Sequence, residues 1–133
     1  MIKRPARWVL DTNVAVAILN GEARATKRLR AQADVVMPVV VLGELLTGAR
    51  NSARPEENER RLWRFVEDLT VWPCDATVAS HYADIGVRLR RMGKPIPQND
   101  QWIAAVCLAA EAALASRDVH FDQLPDLARE SWS

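Results

Sequence analysis

Trp8-Val9-Leu10-Asp11-Thr12-Asn13-Val14-Ala15-Val16-Ala17-Ile18-Leu19 decides the fold. It opens as a short apolar run, and beyond Asp11 the apolar residues Val14, Ala17 and Ile18 recur at helical spacing until Asn20-Gly21 stops them. The pattern predicts a buried strand that feeds directly into a helix, with an acid at the joint. The same switch recurs downstream, where Val35-Val36-Met37 reads as a strand closed by Pro38 and residues 39–49 read as a helix. Residues 22–33 between them are helix-prone and basic, with Arg24, Lys27, Arg28 and Arg30.

Further along, Pro55 suits the first turn of a charged helix over residues 56–68 that turns Leu62, Phe65, Val66 and Leu69 inward. Thr70-Val71-Trp72 reads as a short strand or an entry segment. Asp75 is the expected N-cap of a helix carrying Val78, Tyr82, Ile85, Leu89 and Met92 on one stripe, and Gly93 ends it. After Pro95-Ile96-Pro97, Asp100 opens a helix through Ala110, and Ala113-Leu114-Ala115 is apolar enough for a last central strand. Apolar strands alternating with helices predict an α/β chain, a three-layer α/β/α sandwich around a mainly parallel sheet.

Composition bounds the rest. The 133 residues, 49% hydrophobic and 26% charged, are expected to form one domain over 1–133. With 18 Lys plus Arg against 17 Asp plus Glu, the net charge of +1 excludes the global positive field of polyanion-coating proteins, so any nucleic-acid contact has to be local. Cys74 and Cys107 have neither metal-ligand nor disulfide-scaffold spacing. The Met1-Ile2-Lys3-Arg4-Pro5 start lacks a signal-type apolar run, and no stretch approaches a membrane span, so the chain reads as a soluble, cytoplasmic protein that makes no use of a membrane.

Three charges stand where charge is costly. Asp11 is the only charged residue between Arg7 and Glu22, Glu44 the only one between Asp34 and Arg50, and Asp100 the only one between Lys94 and Glu111. Burying a lone carboxylate costs several kcal/mol unless it is paired, protonated or bound to a metal. Asp118, just past the last predicted strand, joins them by position. In a parallel sheet Asp11 and Asp118 are expected at the strands' carboxyl ends and Asp100 at a helix start, the edge where open α/β sheets build their sites and where the three can converge. Asp11 and Asp100 are also good helix N-caps, and Asp118 has Arg117 beside it and Asp122 after it. Glu44 has neither a cap position nor a cation three or four residues away.

Clustered carboxylates without basic neighbours call for a divalent cation, and hard oxygen donors favour Mg²⁺, or Mn²⁺ in its stead, over zinc. Such a cluster suits phosphodiester hydrolysis, in which bound ions lower the pKa of water and neutralise developing charge. Thr12, Asn13, Asn99 and Ser116 flank the acids and are candidates to orient ligands or water, or simply to serve turns and caps. An aspartyl-phosphate phosphatase fits poorly, because its Asp-x-Asp is missing: position 13 is Asn. His81 and His120 have no His or Cys at ligand spacing and read as structural or surface residues, and Trp102 reads as core. The basic groups Arg24, Lys27, Arg28, Arg30 and Arg88, Arg90, Arg91, Lys94 are either solvated helix faces or grips for RNA phosphates.

Four pieces in order, Val9-Leu10-Asp11-Thr12-Asn13, Glu44-Leu45-Leu46-Thr47-Gly48-Ala49, Asn99-Asp100-Gln101-Trp102-Ile103-Ala104-Ala105 and Ser116-Arg117-Asp118-Val119-His120-Phe121, resemble the PIN-domain family, and within it the VapC-type ribonuclease toxins. The resemblance implies a Rossmann-like fold, Mg²⁺-dependent RNA cleavage, and a toxin neutralised by a cognate antitoxin. By that resemblance Asp11, Glu44 and Asp100 look like the three central acids and Asp118 like the more variable fourth. Ser116 replaces a frequent Thr, and the spacing beyond Asp118 departs from the family pattern, leaving Asp122 as the rival fourth acid. The family also implies an antitoxin segment lying along residues 22–33 and 39–49, with Val40 and Leu46 as anchors, and a homodimer formed through the helices at 56–68 and 78–92. The alternative is a PIN-like interaction module that binds metal or RNA without turnover.

Overall fold

The computed structural model describes residues 5–133, so the basic start Met1-Ile2-Lys3-Arg4 lies outside the described residues. Strand β1 (Arg7–Leu10) leads through Asp11 into α1 (Thr12–Leu19), and Gly21 turns the chain at φ +77° into α2 (Ala23–Arg30). Then come β2 (Asp34–Pro38), α3 (Val39–Arg50), α4 (Pro55–Glu67), β3 (Thr70–Trp72), α5 (Ala76–Arg91), α6 (Gln98–Ala110) and β4 (Ala113–Ala115). A 3-10 turn (Val119–Gln123) and β5 (Arg129–Glu130) complete the chain.

All four strand pairings are parallel, in the order β3-β2-β1-β4-β5. Ala113–Ala115 is therefore interior, as its apolar composition suggests, but it is not last: Leu114 and Ala115 pair with Arg129 and Glu130 of β5. Two residues are too few to leave a periodic signal, which is why the sequence reading passed over this strand. The chain builds outward from β1 through β2 to β3, then returns to place β4 on the other side of β1. The topological switch point thus falls between β1 and β4.

Helices cover both faces, and strand alternation divides the core accordingly. Trp8, Leu10, Val35, Ala113 and Ala115 pack with Val14, Ile18 and Leu29 of α1 and α2, and with Trp132. Val9, Val36 and Leu114 instead pack with Ile85, Leu89, Ile103 and Val106 of α5 and α6. Arg7 ties the far end of the sheet together: its guanidinium donates to Asp34 Oδ2 and to the Ala110 carbonyl, both at 2.9 Å, and lies over the Trp72 ring. Between α5 and α6, Tyr82 stacks on Trp102 with centroids 3.9 Å apart, while Gln101 Nε2 donates to the Tyr82 carbonyl. Among the described residues no helix is long and apolar enough to cross a membrane.

Helix ends follow local chemistry. The Asp75 carboxylate accepts the Val78 N–H at 3.0 Å, as an N-cap should. Glu111 closes α6 in the left-handed region, φ 53°, where an L side chain is strained by about 1–2 kcal/mol. Asp75→Ala is expected to lower the unfolding free energy by about 1 kcal/mol, and Glu111→Gly to raise it by up to about 1 kcal/mol. Urea denaturation followed by circular dichroism measures both, and an unchanged midpoint for Asp75→Ala would refute the cap.

Candidate active site

Asp11 continues β1 by one residue, its N–H donating to the Ala115 carbonyl of β4 at 3.0 Å. Its side chain is only 3% exposed. Its two shortest hydrogen bonds come from Ser116 Oγ, which reaches Oδ2 at 2.6 Å, and the Thr12 N–H, which reaches Oδ1 at 2.8 Å. Asp11 is also the N-cap of α1, so the cap and the site are one position and not alternatives.

The flanking polar residues bind the acids to one another. Asn13 Nδ2 stands 3.3 Å from Asp11 Oδ2 and 3.3 Å from Asp118 Oδ2, donating to both. Its Oδ1 accepts the Arg117 N–H, which sets the amide's orientation. Ser116 Oγ accepts the Asp118 N–H at 3.0 Å, so a single hydroxyl joins the two acids beyond β1 and β4. Glu44, on the inner side of α3, accepts from Thr12 Oγ1 at 2.7 Å and from Asn99 Nδ2 at 3.0 Å. The structure therefore brings Asp11, Glu44, Asp100 and Asp118 together with Thr12, Asn13, Asn99 and Ser116.

Asp100 sits in the first turn of α6, behind an N-cap at Pro97, so its reading as the opening cap is overturned. The proline pair at 95 and 97 starts the helix earlier than the acid does. Asp122 does not join the acids; Arg129 grips it through two bonds of 2.9 Å, which hold its carboxyl below the usual range. His120, read from the sequence as structural or surface, instead places Nε2 2.9 Å from Asp100 Oδ2. The atoms of Asp100, Asp118 and His120 able to ligate a metal lie within 4.8 Å of one another. A histidine two residues after an acid in a polar stretch gives no anomaly to notice, so the only available signal was the Asp-x-His spacing itself.

The electrostatics are those of an unneutralised acidic pocket. Burial pushes the Asp11 carboxyl up to about 6, against the bonds from Ser116 and Thr12, and the charges of Asp100 and Asp118 add to the rise. Burial also raises Asp100; His120 pulls it down, while Asp118 and Glu44 push it further up. The donor set fits a divalent cation: hard carboxylate oxygens, crowded enough to resist ionising together, converge with no arginine or lysine paired to them among the described residues.

Beside the acids runs a groove of about 300 Å³, walled by Thr12 and Val16 of α1, Glu44 and Leu45 of α3, and Arg61 and Leu62 of α4. Its far wall is α4, and not residues 22–33 as the sequence suggested, because α3 packs against α4. Val40 and Leu46 are half-buried and do not line it.

Among known proteins, the PIN domain profile matches residues 8–127. Ribonuclease VapC1 of Haemophilus influenzae strain R2866 is 28% identical over 131 residues, covering 95% of this chain and 98% of that protein. The tRNA(fMet)-specific endonuclease VapC of Shigella flexneri is 31% identical over 130 residues, covering 96% and 98%. Among solved structures, VapBC2 from Rickettsia felis, bound to a promoter DNA fragment, superposes with a TM-score of 0.90 at 26% identity, covering 96% of this chain and 99% of that one. VapBC-5 from Mycobacterium tuberculosis, of the VapBC family of toxin–antitoxin systems, superposes with a TM-score of 0.72 at 31% identity, covering 95% and 97%. The profile match takes in the strand ends, the helix start and the turn that carry the acids, and this chain belongs to the PIN-domain family, alongside relatives of the VapC type.

Proposed function

We propose that this protein is a Mg²⁺-dependent endoribonuclease, with Mn²⁺ able to substitute, and the toxin of a type II toxin–antitoxin pair. The observation that carries the reading is the convergence of four carboxylates on the β1/β4 switch point, around an Asp11 buried without a cationic partner. Nuclease names among relatives aligned over nearly the whole chain support the reaction class.

In this reading Asp11, Glu44, Asp100 and Asp118 hold the cation and are the catalytic acids. The chemistry these acids would gain from a bound cation is activation of a water and neutralisation of charge developing on the scissile phosphate. The chain's own groups do the positioning. Ser116 and the Thr12 N–H fix the Asp11 carboxylate, and Asn13 sets the spacing between Asp11 and Asp118. Thr12 and Asn99 hold Glu44 at the pocket's edge, where its carboxylate can orient a water. The unpaired charge supports a bound cation, and the nuclease names of the relatives favour turnover over a module that binds metal or RNA without it.

The partners follow from the same site. The groove between α1, α3 and α4 opens onto Thr12 and Glu44, and its apolar walls suit a peptide segment whose Arg or Lys reaches the acids. We assign it to an antitoxin, in keeping with the toxin–antitoxin complexes among the solved relatives. Trp63 on α4 and Val87 on α5 are exposed apolar side chains on the two helices proposed for a homodimer.

Asp11→Asn, Glu44→Gln and Asp100→Asn should each reduce Mg²⁺-dependent RNA cleavage by about 100-fold or more while leaving the fold intact. Asp75→Ala should cleave at the parental rate, and a fully active Asp100→Asn preparation, free of contaminating nuclease, would defeat the mechanism.

Thermal melts test the buried charge. A carboxyl raised from 3.8 to about 6 favours the native state while protonated and loses that advantage as pH rises through this window. Without metal, Asp11→Asn should therefore melt above the parent at neutral pH, by a margin on the order of 3 kcal/mol at most, and the margin should shrink as pH falls from about 6 to about 4. Added Mg²⁺ or Mn²⁺ should raise the parent's melting temperature far more than the variant's.

Co-expression with the product of any short reading frame adjoining its gene, followed by size-exclusion with light scattering, tests the partners. A stable complex is expected, and a strictly monomeric chain that ignores its neighbour would remove the toxin–antitoxin assignment while leaving the chemistry in place.

A further inference from the structure

His120 and Asp100 meet at ion-pair distance, in a contact poorly aligned for a hydrogen bond. Nε2 lies 2.9 Å from Oδ2, yet the approach lacks the alignment of a hydrogen bond, and this nitrogen is shielded from solvent with no other partner among the described residues. That nitrogen and the carboxylate oxygens of Asp100 and Asp118, all within 4.8 Å of one another, are spaced as ligands of one ion would be. The local fold aims the nitrogen. Phe121 is fully buried beneath the 3-10 turn, Val119 is 70% exposed on the outside, and residues 118 and 120, flanking Val119, both turn toward α6.

We propose that His120 is a nitrogen ligand of the same cation that Asp100 and Asp118 hold, giving the site a preference for Mn²⁺ over Mg²⁺. The inference rests on the metal-dependent reading above, because it assumes that these acids bind a divalent cation. Mg²⁺ takes oxygen donors almost exclusively, whereas imidazole suits transition-series ions, so an Asp-Asp-His set shifts the balance toward Mn²⁺. The competing role for His120 is that of a charged partner that merely steadies the Asp100 carboxylate.

Electron spin-echo measurements on the Mn²⁺-loaded full chain separate these roles, since only a coordinated imidazole couples its nitrogen to the manganese spin. Nitrogen modulation is expected in the parent and in His81→Asn, and is expected to vanish in His120→Asn. By calorimetry, His120→Asn should lose about tenfold in Mn²⁺ affinity while Mg²⁺ affinity changes by less than about twofold. Bound Mn²⁺ with no nitrogen coupling would overturn the ligand role and leave the acidic metal site standing, and that spectrum requires no variant to fold. A chain that binds no Mn²⁺ at all would overturn both this inference and the metal-dependent nuclease reading.

Discussion

A carboxylate buried at the β1/β4 junction is the constraint on which the rest of this structure depends. Asp11 is 3% exposed, and the groups nearest to it beyond its hydrogen-bond donors are further acids. Removing such a charge from water costs several kcal/mol, and hydrogen bonds from Ser116 and Thr12 offset only part of that. The remainder persists as a carboxyl pushed up to about 6 and as a standing attraction for cations. Local packing bends to this requirement: β4 is followed directly by a buried serine, Ser116, whose hydroxyl serves Asp11 and Asp118 together.

Parallel topology explains why four acids far apart in sequence can share a pocket. The carboxyl ends of β1 and β4 lie side by side because the chain reverses its direction of growth at β1, and the crossover connections leave the rim between them uncovered. Asp11 and Asp118 hang from those strand ends, Asp100 from the first turn of α6 and Glu44 from α3, so every acid rests on or next to a regular element. The α5/α6 contact, with Tyr82 stacked on Trp102 and Gln101 bonded to the Tyr82 carbonyl, steadies the start of the helix that presents Asn99 and Asp100.

The same pocket would repel a polyanion were it not for charges elsewhere. Among the described residues, Arg90, Arg91 and Lys94 at the end of α5 and Arg24, Lys27 and Arg30 on α2 enter no ion pair, whereas Arg28 and Arg88 are paired with Glu130 and Asp126. A chain of net charge +1 thus carries local positive patches apart from its acidic centre, and their attraction for a polyanion is screened within about 10 Å at moderate salt.

How much of this was legible in one dimension follows from what each feature costs. Asp11, Glu44 and Asp100 were visible because charge inside an apolar run is expensive, and expense shows in a sequence as isolation. The strand-to-helix switches at Asp11 and Pro38 were visible through the change of hydrophobic period, and the turn at Gly21 through its need for positive φ. His120 was not visible, nor was the choice of Asp118 over Asp122. Both depend on where a 3-10 turn, anchored by Phe121, meets α6 on the same side of the sheet, and on Arg129 of a two-residue strand taking Asp122 for itself. The wall of the groove was equally hidden, since the packing of α3 on α4 is set by side-chain fit between segments that carry no mark of each other. Sequence alone determined the longer elements, their order and the identity of the costly charges, because those follow from local periodicity and solvation. The tertiary structure alone decided which neighbours those charges have, because distances between residues a hundred positions apart exist only once the sheet has formed.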